Sequence, residues 1–229
     1  MKKTFLLLTL LSCFISFSQN GRIFFEVNYN TFSHKSLSDF QEEFKNDVRE
    51  IPLQTSDDFP GNLGFSLGYE FRDINLIIFA NYNSTGGKLS YSDYSGVVRI
   101  TEELKGYGLG AEYLVPLSKT NTYFNLGLRG FGMFTTLNLE NYAQISESVS
   151  RDEIDFQSTN LGIGARVLYE YPISFFFIRA SLGYDLTFGG SFTFKENSEF
   201  YLQNNNEDKV KSNWSGIRTS IGIAIPLNN

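Results

Sequence analysis

One histidine, His34, stands between Ser33 and Ser36, with Asp39 just beyond. A hydroxyl, an imidazole and a carboxylate are the parts of a nucleophilic triad. The imidazole takes the hydroxyl proton and the carboxylate orients the imidazole. Side chains this close in sequence, on one strand end or helix cap, rarely converge on a reacting atom. The stretch therefore predicts an exposed loop histidine and no catalytic residue. Metal chemistry has less to build on. With His34 the one histidine and Cys13 the one cysteine, zinc lacks its nitrogen and sulfur donors, and Asp57-Asp58 is a meagre start for calcium. The many G-x-G spacings fall inside alternating apolar runs and open no phosphate loop, so no cofactor is expected. A formal charge of −6 without a basic stripe excludes nucleic acid as the main partner.

A larger set of charged side chains is placed more tellingly. Glu26, Glu70, Glu112, Arg129, Arg166, Glu170, Arg179, Asp185 and Arg218 each interrupt an otherwise apolar stretch. "SFFFIRASLGYDLTF" (residues 174–188) shows the pattern: Phe176, Ile178, Ala180, Leu182, Tyr184 and Leu186 alternate with Arg179, Ser181, Gly183 and Asp185. A helix of this length rises about 22 Å, too short for a ~30 Å hydrocarbon core, whereas a tilted strand crosses easily. Period-two alternation recurs in "GRIFFEVNYNTF", "NLGFSLGYEF", "INLIIFANYN", "KGYGLGAEYLV", "TYFNLGLRGFGMF", "TNLGIGARVLYEY" and "GIRTSIGIAIPL". That makes eight strands, each with one face of Leu, Ile, Val, Phe and Tyr and one of Gly, Ser and ionic residues. Burying so many charges in a soluble core is costly. Turning the apolar face to lipid and the charged face to a lumen removes the conflict, and closing the sheet removes its edges. The expected fold is an all-β, eight-stranded antiparallel transmembrane barrel. In its lumen the charges form an ionic plug, with Arg218 paired to Glu26 because the last strand must lie beside the first.

The connections alternate in length. "RD" (Arg72-Asp73), "PLSKTN" from Pro116 and "PIS" from Pro172 are tight turns, while about 34–61, 84–103, 140–157 and 189–213 are long loops. In the first long loop, Leu37, Phe40, Phe44 and Val48 at 3–4 spacing predict a short amphipathic helix over the barrel mouth, with Ser36 or Ser38 as N-cap. Phe24, Ile77, Phe79, Tyr123, Phe131, Phe175 and Phe177 are expected on the lumen face. They are either packing filler or the lining of a greasy passage.

The N-terminus reads as an export signal. Lys2 and Lys3 precede an apolar core from Phe5 and small residues at Ser16 and Ser18, with cleavage expected before Gln19. The expected division is a signal peptide over 1–18 and a barrel domain over 19–229. A lipoprotein-like reading of "LLSC" would acylate Cys13 instead.

The signal ending "FSQN" and the stretch "AEYLVPLSKTNTYFNLGLR" resemble the small outer-membrane barrels of the OmpA/OmpX type, including the porin-family barrels of the Bacteroidota. The likeness covers most of the mature chain but rests on pattern, and the ending "AIPLNN" lacks the terminal aromatic residue of such barrels. It implies an outer-membrane protein with short periplasmic turns, long extracellular loops and a periplasmic N-terminus, without a peptidoglycan-binding domain after the last strand. It further implies a monomer in the lipid bilayer, meeting lipopolysaccharide or an envelope protein through its loops. The expected function is non-enzymatic: structural, adhesive or partner-binding. The alternatives are a narrow pore or hydrophobic-ligand conduit, and a lipid A-modifying barrel enzyme using His34.

Overall fold

The computed structural model describes residues 21–48, 50–118 and 123–227. The expected signal peptide and Cys13 lie outside the described residues. Among the described residues ten strands and one α-helix follow in chain order: β1 (Gly21–Phe32), α1 (Lys35–Asp47), β2 (Gln54–Asp58), β3 (Asn62–Phe71), β4 (Leu76–Asp93), β5 (Gly96–Pro116), β6 (Phe124–Ile145), β7 (Ser148–Ile173), β8 (Phe176–Gly189), β9 (Thr193–Phe194) and β10 (Gly216–Pro226). Eight of the strands close a ring in the order β1, β3, β4, β5, β6, β7, β8, β10. The seam is an antiparallel β1–β10 pairing from Arg22↔Pro226 to Phe32↔Gly216. Among the described residues no helix is long and apolar enough to cross a membrane; the crossing is made by strands.

Alternation sets what each face meets. Phe25, Leu67, Leu109, Leu128, Ile163, Leu182 and Ile221 point outward and are 44–67% exposed, forming an apolar band around the ring. Their in-strand neighbours point inward and are buried or half-buried. At one end the strands join tightly. Asn75, in the left-handed region at φ 54°, closes the Arg72–Ile74 turn. The β7–β8 hairpin turns at Ser174-Phe175. β7 itself extends to Ile173 and so contains Pro172. The centre of the β5–β6 turn lies outside the described residues.

The other end departs from the expected loops. A membrane-crossing strand needs about 9–11 residues, yet β5, β6 and β7 have 21, 22 and 26. Residues 84–103 and 140–157 are not loops but the continuation of β4–β5 and β6–β7 as hairpins. Ten residues at about 3.3 Å each carry the sheet some 30 Å past the band. β2 joins this extension beside β4, and β9 beside β7. The lobe has its own small core: Leu53, Leu89 and Ile100 are buried, with Phe44, Val48 and Ile51 packed on them from the helix side.

α1 covers the barrel mouth, and Leu37 is its fully buried anchor. The residue preceding the helix is His34, without a side-chain cap. Ser36 does not cap: its Oγ accepts from the Lys211 backbone N–H at 3.0 Å. Beneath α1, Trp214 is fully buried edge-on to His34 at 4.9 Å and to Phe32 at 5.7 Å. Gly106 makes room for it, since a Cβ there would lie 2.8 Å from the indole. The indole N–H donates to Thr135 Oγ1 at 2.9 Å. Trp214→Phe keeps most of the packing and leaves that hydroxyl unpaired in a dry site, a cost of about 1–2 kcal/mol. The expected result is roughly tenfold faster hydrogen exchange of the α1 amides, with the barrel's heat-modifiable gel migration unchanged.

Candidate functional site

The lumen is filled by ion pairs in two layers. Near the short-turn end, Arg22 reaches Glu170 (3.3 Å) and Glu70 (3.6 Å). Arg179 reaches Glu26 (3.0 Å), Glu70 (3.5 Å) and Glu170 (3.6 Å). Arg166 bridges Glu112 (2.7 Å) and Glu26 (2.8 Å). One layer further in, Asp185 accepts from Arg218 at 3.0 Å and faces Arg129 at 3.6 Å. These five arginines meet five carboxylates, all but shut off from solvent. A buried charge is tolerated only when paired in this way. All nine residues singled out in the sequence lie in the ladder. Arg22, of the same strand parity as Glu26, completes it and was missed.

One expected pair does not form. β10 does lie beside β1, but the register sets Arg218 opposite Asn30 and Gly222 opposite Glu26. Arg218 therefore takes Asp185 from β8, while Glu26 takes Arg166 and Arg179. Adjacency was readable from the sequence; register was not.

The aromatic side chains of the lumen stack on the arginines. Arg22 lies over Phe177 (4.2 Å), Arg129 over Phe79 (4.3 Å) and Phe131 (5.1 Å), and Arg179 over Phe24 (4.2 Å). Cation–π contact of this kind adds to the ion pairs. Ile77 is also buried, but Tyr123 and Phe175 are 39% and 73% exposed at the short-turn end and line no lumen. Above the ladder sits a belt of asparagines. Asn28 donates to Ser66 (2.8 Å), and Asn30 donates to Asn62 (2.9 Å) and Asn83 (3.0 Å). The fill thus runs from ions through amides to the aromatic layer of Phe32 and Trp214 below α1.

This arrangement decides the fold: a closed ring, an apolar band outside, and ion pairs inside. The fold is that of a small eight-stranded outer-membrane barrel. No family model matches the chain, and no curated protein matches it significantly. Among solved structures, the barrel is similar to Neisserial surface protein A, with 12% identity and a TM-score of 0.42 over 90% of this chain and 96% of that one. It is similar to a major outer-membrane protein of Thermus thermophilus, with 10% identity and a TM-score of 0.49 over 90% and 99%. It is also similar to Ail, the attachment invasion locus protein of Yersinia pestis, with 13% identity and a TM-score of 0.42 over 91% and 98%. At such identities the assignment of fold rests on the strand ring itself.

Two titratable groups lie under α1, outside the apolar band. His34 is not the exposed loop residue expected: Trp214 and Phe59 pack on it and bury it, and neither ring nitrogen finds a hydrogen-bond partner among the described residues. Burial lowers its pKa to about 4. The carboxylate and hydroxyl near it in sequence are engaged elsewhere: Asp39 pairs with Lys35 at 2.7 Å and Ser36 with Lys211. Glu102, on β5 above Tyr107, is also buried. Its carboxylate accepts from Gln41 Nε2 of α1 at 2.9 Å, and no cation pairs with it among the described residues. Burial pushes its pKa up to about 7; the Gln41 bond opposes this and nearby Asp58 adds to it. Gly87 provides the notch, because a Cβ there would collide with Glu102, Gln41 and Phe59.

Proposed function

We propose that this chain is a non-enzymatic protein of the Gram-negative outer membrane, in which the barrel is an anchor and the lobe at the long-loop end is the working surface. On this reading residues 1–18 are an export signal and 19–229 the barrel domain. The short turns face the periplasm, and the lobe projects outside as a structural, adhesive or partner-binding platform in a monomer. Lipopolysaccharide and envelope proteins are the partners within its reach. One observation carries the reading: the lumen is filled along its length by paired ions, asparagines and aromatic rings, while four strands continue well past the apolar band into a separately cored lobe. A channel or greasy conduit would invest the other way, in an open lumen and short loops.

Three measurements test it. In planar bilayers the purified barrel is expected to be electrically silent, and discrete conductance steps would overturn the reading. In cells, replacing the tips of both long hairpins (residues 88–99 and 140–153) by tight turns should leave heat-modifiable barrel in the outer membrane and abolish protein-dependent adherence and aggregation. Unchanged adherence would remove the lobe from the function. Unaltered lipid A mass spectra with and without the protein are expected, and an altered acyl pattern would return His34 to consideration.

A further inference from the structure

The lobe has two lateral borders, and they differ. On the β4 side the border is β2, five exposed residues with a register shift between Thr55 and Asp57 and with Asp57 and Asp58 at its end. A short, irregular, acidic strand is a blunted edge. On the β7 side the border strand is long and regular. β6 pairs with β7 without interruption from Ile145↔Ser148 to Phe124↔Tyr169. On β7's other edge, β8 ends opposite Asn160, and β9 covers Gln157 and Phe156. The last bond on that edge runs from the Lys195 backbone N–H to the Asp155 carbonyl at 3.0 Å. Beyond it the chain turns away. Residues 148–154 are exposed throughout.

The direction of the free groups follows from parity. The Glu170 N–H donates to Tyr123 on the β6 side, whereas the Thr159 and Asp155 carbonyls accept from Gly190 and Lys195 on the other side. Odd residues of β7 therefore turn their backbone groups away from β6. Val149, Arg151 and Glu153 each offer an N–H and a C=O along the open edge, in line with the place β9 vacates. At the start of this edge a cleft of about 640 Å³ is lined by Ile154, Phe194, Lys195 and Glu196, among others.

We propose that this edge binds an extended polypeptide strand from another protein, added to the sheet beyond β9. Backbone hydrogen bonds to Val149, Arg151 and Glu153 supply the affinity, and alternate side chains supply the selectivity. On the inner face an apolar side chain enters the cleft beside Ile154 and Phe194. The partner is basic, because Glu147, Asp152, Glu153 and Glu196 outnumber Arg151 and Lys195 around the edge. A second copy of this chain fits poorly: two-fold antiparallel pairing centred on the open edge sets Arg151 against Arg151, and like charges directly opposite destabilise a sheet.

The inference rests on the lobe being the working surface, and the test separates the two. The full chain in detergent is titrated with a short capped peptide alternating lysine and valine, and hydrogen exchange is read residue by residue. Protection is expected at the Val149, Arg151 and Glu153 amides and not at Ser150 or Asp152, which already face β6. The same peptide N-methylated at alternate residues should give no protection. Arg151→Pro removes one edge donor and the exposed Arg151–Glu140 ion pair without touching the backbone bonds to β6, and should weaken binding about tenfold, the value of one net hydrogen bond to one and a half. Glu153→Lys should weaken it and reduce its salt dependence. If Arg151→Pro loses heat-modifiable migration, the N-methylated peptide carries the test alone. Unchanged exchange at the three amides under saturating peptide, or equal protection by the N-methylated peptide, overturns the inference. Loss of adherence on trimming the hairpins together with an inert edge would leave the wider reading intact and refute this one.

Discussion

Arg179→Ala is expected to destabilise the barrel by about 3–5 kcal/mol, the usual cost of removing one partner from a buried ionic cluster. Arg179 has no solvent exposure and touches three carboxylates, Glu26, Glu70 and Glu170. Each keeps another arginine: Glu26 has Arg166, and Glu70 and Glu170 share Arg22. The variant therefore leaves four carboxylates among two cations in that layer, in a place where water replaces the guanidinium poorly. Loss of the stacking on Phe24 at 4.2 Å adds a packing defect. The measurement is urea unfolding in lipid vesicles, followed by the gel-mobility difference of folded and unfolded barrel. Arg179→Ala should lower the midpoint strongly. Adding Glu26→Gln should restore part of the loss, because the two residues are directly coupled. An unchanged midpoint would mean that the ladder fills the lumen without holding it.

Glu102→Gln should work in the opposite direction and depend on pH. The folded-state pKa of Glu102 lies near 7, above the 4.5 of a free glutamate. The folded lid therefore prefers the neutral acid. Its favourable contribution is fully present below pH 4.5, is lost as pH rises toward 7, and stays lost above that. A shift of this size corresponds to about 3 kcal/mol. Glutamine stays neutral and still accepts from Gln41, so the variant lid should be firmer than wild type at pH 8 by about 2–3 kcal/mol and equal to it near pH 4.5. His34 has the reverse dependence. Its pKa falls from 6.5 to about 4, so the folded lid prefers the neutral ring and weakens as pH drops between those values. In the wild type the two slopes oppose each other and the lid should be nearly indifferent to pH between 4.5 and 6.5. In Glu102→Gln the histidine slope is unmasked, and protection of the α1 amides should fall as pH drops through that window. Identical pH profiles for wild type and variant would show that Glu102 ionises freely.

The strand pattern and the sign of each face were legible in the sequence because alternation is local. Arg179 and Asp185 had to share a side with Ser181 and Gly183, and lipid could accept only the side of Ile178 and Leu182. The presence of α1 was legible too, from the spacing of Leu37, Phe40 and Phe44. Three things needed the tertiary structure. Which arginine meets which carboxylate depends on strand register, and register is set by the whole ring, so Arg218 passed from Glu26 to Asp185. How far the strands continue depends on whether a polar hairpin finds neighbours. Residues 84–103 and 140–157 read as loops because they lack an apolar lipid face, yet they hold as strands by pairing with one another and burying Leu89 and Ile100 under the helix. Finally, the dry setting of His34 and Glu102 comes from α1, Phe59 and Trp214 arriving from distant parts of the chain. Composition and alternation settled that the protein is a barrel with an ionic interior. Long-range pairing decided that its lumen is closed, that its lobe is folded, and where that lobe leaves an edge open.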